Sequence, residues 1–331
     1  MVLFYFIGNF KTFIIKGKSD LMNGVNKVLM VMKEVKRAVI GKDDVIELVM
    51  AAIIAGGHIL LEDIPGVGKT TMAMSFSKAM ELFVRRMQFT PDILPTDVVG
   101  YNMPRENGEF EYVPGAIACN LFLADEINRT SPKTQSALLE VMEEGKVSVD
   151  GVTRILPQPF IVIATQNPTG SAGTQMLPES QLDRFMIKLS VGYPDISSEI
   201  TMLKNKKNKE ADTDIRQVIS KNELLAIRNE VSEVFLKDEI INYIASLSSA
   251  SRNNEYVKLG LSPRGSIAVA SMAQAIAYIN DRNYVVPEDV RFVLPHVAGH
   301  RIMLNTKAKV NNLTIEDVIK QIISSVKTPE F

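Results

Sequence analysis

The stretch Glu62-Asp63-Ile64-Pro65-Gly66-Val67-Gly68-Lys69-Thr70-Thr71 has the composition of a loop that holds phosphate. It follows the apolar run His58-Ile59-Leu60-Leu61 and opens into a helical pattern, the strand, glycine turn and helix that such a loop requires. Gly66 and Gly68 let the backbone turn successive N–H groups inward on phosphate oxygens, and the helix start adds its positive dipole end. Lys69 can neutralise β- and γ-phosphates and the Thr70 hydroxyl can ligate Mg²⁺, with Pro65, Val67 and Thr71 completing the loop. Asp63 departs from G-x-x-x-x-G-K-[ST], standing where the first glycine is usual, so the entry to the loop must differ.

A second apolar run, Asn120 to Ala124, ends in Asp125-Glu126, 56 residues after Lys69. Two carboxylates there would lie at the carboxyl edge of a parallel sheet, where such sheets bind ligands. Asp125 would hold Mg²⁺ and Glu126 would orient and deprotonate an attacking water. A third run, Phe160 to Ala164, ends in Thr165-Gln166-Asn167-Pro168, whose Asn167 amide can reach a γ-phosphate or that water. Arg184 follows the loop Thr169–Met176, and Arg264 opens a helix at Ser262-Pro263-Arg264. The positive end of a helix repels a cation, so an arginine there points to an anionic partner, a nucleotide phosphate.

The elements that must position these groups are legible from periodicity. The three apolar runs suit strands buried on both faces of a parallel sheet, with Met87-Gln88-Phe89 a weaker fourth. Helical patterns cover 22–39, 43–55, 70–82 and 132–144, the last beginning at Ser131-Pro132 and stopping at Gly145. Alternation of strands and helices predicts an α/β fold, a parallel sheet sandwiched by helices. Beyond Tyr193-Pro194 no buried strand run is evident, only helical periods over 223–234, 238–249, 263–279 and 287–294, and Lys204 to Glu210 reads as a solvated loop between helices. The expected division is 1–21 as an N-terminal extension, 22–194 as a nucleotide-binding α/β domain and 195–331 as a smaller α-helical domain.

Composition narrows the classes. Lys and Arg total 37 against 38 Asp and Glu, a net charge of -1, which argues against nucleic acid held by bulk charge. The one cysteine, Cys119, excludes an internal disulfide or a thiolate zinc cluster and reads as a small buried hydrophobe. His58 reads as a strand-start residue, and His296 and His300, a helical turn apart with no third ligand, as packing residues. The apolar stretch of residues 1–17 is broken by Asn9, Lys11 and Thr12 and falls short of a membrane span; it reads as an arm or as an upstream start, with Met22 the alternative first residue. A cytoplasmic protein is expected.

The chain resembles the MoxR family of AAA+ ATPases. The resemblance rests on Val39-Ile40-Gly41, the loop through Thr70, Gln88 to Asp97, Ala124-Asp125-Glu126-Ile127-Asn128-Arg129, Ala164 to Pro168 and Leu177 to Phe185. In the helical part it rests on Ser262-Pro263-Arg264, Pro287 to Val290 and His300-Arg301. It covers residues 22–305, and the Asp63 departure is itself the form that similar proteins carry. It implies that Lys69 and Thr70 are the Walker A pair, Asp125 and Glu126 Walker B, Asn167 sensor 1 and Arg264 sensor 2 on a helical lid. Arg184 matches the arginine finger that reaches a neighbouring subunit's nucleotide, with Arg129 a competitor, and Gly41 would lie near adenine.

The resemblance further implies ATP and Mg²⁺ as cofactors and a ring, commonly hexameric, that remodels or matures client proteins. Partners of the family include proteins with a von Willebrand factor A domain. Where relatives read Pro-Gly-Pro-Ile-Phe, this chain has Pro114-Gly115-Ala116-Ile117-Ala118, a departure in a segment expected to face the client. The alternatives are a nucleic-acid motor or loader, a chelatase-type subunit and a small-molecule kinase. Glu126, Arg184, Arg264 and a helical lid suit hydrolysis better than phosphate transfer.

Overall fold

The computed structural model describes residues 24–62, 66–167, 177–207 and 215–330. The expected extension 1–21, Met22, Asp63, Pro65, Pro168 and the loop Thr169–Met176 lie outside the described residues. Helices α1 (24–38) and α2 (Asp43–Ile54) lead into β1 (Ile59–Glu62), followed by α3 (Lys69–Ala79) and β2 (Val84–Gln88). Next come α4 (Pro95–Val99), a hairpin of β3 (Gly100–Pro104) and β4 (Phe110–Pro114), then β5 (Leu121–Asp125) and α5 (Pro132–Glu144). A second hairpin, β6 (Lys146–Val149) and β7 (Val152–Ile155), precedes β8 (Ile161–Gln166), α6 (Glu179–Leu182) and β9 (Ile187–Leu189).

The rest is helical: α7 (Ile196–Lys207), α8 (Lys221–Ser232), α9 (Asp238–Asn253), α10 (Pro263–Ile279), α11 (Pro287–Ala298), α12 (Thr306–Val310) and α13 (Ile315–Ser325). A short ribbon of β10 (Val257–Leu259) and β11 (Met303–Leu304) interrupts it, which the helical reading lacked. Two other expectations need correction. Lys204 to Lys207 belong to α7 rather than to a loop, and α11 runs on through Pro295 to Ala298 instead of ending at Leu294.

The five-stranded sheet has the order β2-β5-β8-β1-β9 and every pairing is parallel. Both faces are covered, which is why the central strands lack alternation. Leu60, Phe122, Ala124, Val162 and Ala164 pack into one core with Leu138 and Leu139 of α5. Ile59, Leu61, Leu121, Leu123, Ile161 and Ile163 face a second core, built with α1, α2, α3 and the C-terminal helices. Ser131 Oγ accepts from Thr134 N at 3.3 Å, and Gly145 takes φ +63, so α5 starts and stops where the cap and glycine signals place it. Buried Cys119 precedes β5 and packs into the core with Leu138 and Leu139, and burial pushes its thiol up to about 12.

The helical part is stapled to the sheet by Arg301, whose side chain is 3% exposed. Its guanidinium donates to Asp183 Oδ1 at 2.6 Å and to the carbonyls of Asp183, Phe185, Met186 and Val297. Ser262 Oγ donates to the same Asp183 carboxylate at 3.1 Å. His300 is buried beside this cluster, and burial together with the Arg301 charge pushes its pKa down to about 3. His58 bridges the two layers, accepting from Val162 N at 3.0 Å on Nδ1 and donating to Met142 O at 2.9 Å, and burial holds it at about 4.

Both imidazoles stay neutral in the fold, whereas the unfolded chain takes up their protons below about pH 6.5. Stability is therefore full above that pH and is lost as pH falls toward 4. Each histidine contributes a slope of about 1 kcal/mol per pH unit below 6.5. His300→Asn should flatten the profile by that amount in denaturant titrations at pH 7.5, 6 and 5. An unchanged slope would remove His300 from the account.

Candidate functional site

The phosphate loop takes the geometry its glycines allow. Gly66 and Gly68 sit at φ +91 and +92, a left-handed region closed to most side chains, and a Cβ built on either would meet nothing within 4 Å. Strain rather than crowding therefore requires glycine, and the loop's surface opens onto space a phosphate can fill. Gly68 is also the N-cap of α3, with no side-chain cap and no acidic residue in the first turn. By contrast α5, α8, α10 and α13 are capped by Ser131, Ser220, Ser262 and Thr314. The amino end of α3 thus carries neither a side-chain cap nor an acidic residue of its own, and its positive dipole end suits an anion.

Beside the loop lies a cleft of about 460 Å³ lined by Val39, Ile40, Lys42, Val67, Thr71, Tyr193 and Met202, among others. Gly41 shapes its rim rather than lining it: at φ +72 it turns the chain into α2, and a Cβ there would fall 2.1 Å from Ser198 Oγ. The wall, largely apolar with Tyr193 and with Lys42 and Glu199 as its charged groups, suits a nucleobase next to its phosphates.

Asp125 ends β5 at the same sheet edge as the loop, and it is 6% exposed. Its Oδ1 accepts from Thr165 Oγ1 at 3.2 Å and its Oδ2 from Arg86 Nε at 2.6 Å. Glu126 leaves the strand at φ +56, a left-handed conformation that a non-glycine residue adopts at a cost of about 1–3 kcal/mol. The turn is held by Glu126 N donating to Thr165 Oγ1 at 2.9 Å, so one threonine organises both acids. The Glu126 carboxylate accepts from Gln88 Nε2 at 3.0 Å and from Arg129 Nη1 at 2.7 Å, both on Oε2. Asn167 follows β8 at this edge, and its carbonyl accepts from Asn128 Nδ2 at 3.3 Å. Lys69, Thr70, Asp125, Glu126 and Asn167 are thus brought to one edge.

The donor set fits Mg²⁺: a hydroxyl and a single carboxylate leave the remaining positions to water and phosphate, as that ion prefers. Among the described residues no three His, Cys, Asp or Glu side chains cluster as a dedicated metal cage. His296 packs its ring on Phe292 at 6.3 Å while His300 turns toward Phe185, so the two do not share a ligand.

Arg184 and Arg264 are not at that edge. Arg184 precedes β9, and Met186 N bonds His58 O at the start of β1, so it sits at the amino ends of the strands. This is about 13 Å from the loop along a four-residue strand. Arg264, in the first turn of α10, lies there too: both arginines bond Glu143 near the end of α5, Arg264 at 3.0 Å and Arg184 at 3.3 Å. The anion that the helix start called for is, within this chain, a carboxylate.

Several contributors went unread in the sequence. Arg86 and Gln88 alternate along an edge strand beside the acidic pair, and Glu143 lies on α5 among other acids. Across β9, β1 and β8, Lys188 Nζ donates to Glu62 Oε2 at 2.7 Å and Gln166 Nε2 to Glu62 Oε1 at 2.6 Å, tying the strand that enters the loop to both neighbours. The polar ends of three apolar strands were the available signal.

Residues 58–187 match the model of the ATPase family associated with various cellular activities (AAA), and residues 249–322 match that of the AAA lid domain. The chain is 46% identical over 299 residues to an uncharacterized protein, YeaC, of Bacillus subtilis, spanning 90% of this chain and 93% of that one. It is 36% identical over 324 residues to Chaperone MoxR1 of Mycobacterium tuberculosis, covering 95% of this chain and 85% of that one. The crystal structure of an assigned ATPase from Cytophaga hutchinsonii superposes with a TM-score of 0.89 at 36% identity, over 96% of this chain and 99% of that one. With the parallel sheet, the glycine loop and the helical lid, these similarities place the chain: it belongs to the MoxR family of AAA+ ATPases, in which nucleotide binding and ATP hydrolysis are family properties.

Proposed function

We propose that the protein is a cytoplasmic, Mg²⁺-dependent ATPase that works as a ring, with turnover remodelling or maturing client proteins. The carrying observation is the split of its charged residues between two sheet edges. Lys69, Thr70, Asp125, Glu126 and Asn167 face one way, and Arg184 and Arg264 lie a strand length away. A chain that keeps these two arginines off its own phosphate loop completes the site by meeting another copy, edge to opposite edge, as a closed head-to-tail ring does. Arg129 bonds Glu126 and Arg184 bonds Glu143 within the chain; the place of Arg184 at the opposite sheet edge supports it over Arg129 as the finger across the interface. The division at 194/195 separates the nucleotide-binding part from the lid on this reading.

In the reaction, the α3 amides and Lys69 bind the β- and γ-phosphates while the cleft beside Ile40 takes the base. Mg²⁺, held by Thr70 and Asp125, would offset charge on those phosphates. Glu126 orients a water and takes its proton as the oxygen attacks the γ-phosphorus, while Asn167 holds that water or a γ-oxygen. The bond to the bridging oxygen breaks, and ADP and phosphate leave.

The chaperone role draws on the name of the mycobacterial relative. A protein with a von Willebrand factor A domain is the partner class that the family suggests. Client contact through Ala116 and Ala118 has less support, because that segment is bonded back to α4, with Ala116 N donating to Asp97 O and Ile117 N to Val98 O.

The test is ATP hydrolysis per subunit across a wide protein concentration range with Mg²⁺, alongside Lys69→Ala. Specific activity should rise with concentration, and the variant should neither bind nor hydrolyse ATP. Flat, appreciable activity would sink the shared site.

A further inference from the structure

Arg86 stands out because it makes a strong contact for which the reaction described above has no use. Its Nε lies 2.6 Å from Asp125 Oδ2, on the carboxylate assigned to the metal. The pair is asymmetric: the Asp125 side chain is 9% exposed and that of Arg86 is 53% exposed. Asp125 is fixed between strands, with β5 paired to β2 on one side and to β8 on the other, and Thr165 of β8 holds its other oxygen. Arg86 comes from β2, the edge strand, and its long side chain reaches Asp125 from the solvent side. A guanidinium in that position can swing out into water without disturbing any packed element.

Two cations held at close range on this carboxylate repel each other, so each weakens the other's hold. A buried carboxylate without a counter-charge is costly, so Asp125 needs one at every stage of the cycle. We propose that Arg86 is the resident counter-ion of Asp125 in the nucleotide-free protein and exchanges against the divalent cation that arrives with nucleotide. This rests on the assignment of Asp125 to the metal. Arg86 is on this view a positioning residue, tuning metal affinity downward so that the ion is held only together with the phosphates. Charge balance on Asp125 would be kept throughout: one positive group leaves the carboxylate where the other would be held, and no covalent bond is made or broken.

The neighbouring contact supports the exchange. Gln88, two residues along β2 and therefore on the same face, holds Glu126 in the same way, at 3.0 Å. Both acids are thus gripped by one strand, but only the grip on Asp125 uses a cation. Removing Gln88 changes a neutral donor, whereas removing Arg86 strips a positive charge that competes directly with the metal.

The experiment is a titration of the full chain with Mn²⁺ at saturating ADP, read by the electron paramagnetic resonance of free Mn²⁺, for wild type, Arg86→Gln, Arg86→Lys and Asp125→Asn. Arg86→Gln should bind Mn²⁺ about tenfold more tightly than wild type, in keeping with the loss of one charge-assisted contact. Arg86→Lys keeps the charge and should fall between the two, which separates competition from a general loosening of β2. Circular dichroism melts identify any variant that fails to fold, and Arg86→Lys then carries the comparison. Equal or weaker Mn²⁺ binding by Arg86→Gln, with Asp125→Asn clearly weakened, would overturn the exchange and leave the metal assignment standing. Wild-type binding by Asp125→Asn would overturn the metal assignment and the exchange with it.

Discussion

Replacing Glu126 by glutamine is expected to leave ATP binding near the wild-type level and to cut turnover by about a thousandfold, within the range of a lost general base. Glutamine keeps the shape and can still accept from Gln88 and Arg129, the groups that hold Oε2. It cannot take a proton from water. On the proposed reading, binding is set by the amides of α3, Lys69 and the cleft beside Ile40, none of which the substitution touches. Equilibrium binding of a fluorescent ATP analogue, with phosphate release under the same conditions, separates the two effects. Normal turnover in this variant would mean that the water is activated elsewhere. The strained φ +56 of Glu126 would then need another explanation.

Arg184→Ala should lower turnover by about a thousandfold as well, as loss of an arginine finger does, with nucleotide affinity kept. The two variants fail for different reasons, and that makes them informative together. A chain carrying Arg184→Ala retains Glu126, and a chain carrying Glu126→Gln retains Arg184. Mixed in equal amounts in a ring of random order, about a quarter of the interfaces pair an intact base with an intact finger. Activity should therefore reappear on mixing two inactive proteins. No recovery, from proteins shown by light scattering to co-assemble, would place the finger elsewhere. Arg264→Ala in the same assay tells whether the second arginine on Glu143 also acts across the interface.

What could be read from the sequence depended on burial. β1, β5 and β8 lie in the middle of the sheet, so both faces demanded apolar residues and the runs stood out. β2 and β9 flank them, and each carries charge: Arg85 and Arg86 in one, Lys188 in the other. The two hairpins are mostly exposed and show little apolar signal. Lys204 to Lys207 read as a loop because a run of lysine and asparagine has no apolar period to mark it as helix.

The site divided in the same way. Gly66 to Thr70 and Asp125-Glu126 are contiguous and sit at strand ends, so spacing alone located them. The partners Arg86, Gln88 and Glu143 act across strands or between layers, and nothing in their local sequence marks the residue they meet. Chain order also conceals which sheet edge a segment returns to, so Arg184 and Arg264 could be chosen from sequence but not placed.

The Arg301 staple has a mechanical consequence. It fastens the helical half at the amino end of β9, while the phosphate loop leaves the carboxyl end of β1, the strand beside it. One continuous core then joins that half to a full face of the sheet. A protomer built this way resists bending between the sheet and the helical half. In the ring proposed above, the stroke of hydrolysis is therefore expected to act between neighbours rather than in a flap that opens within one chain.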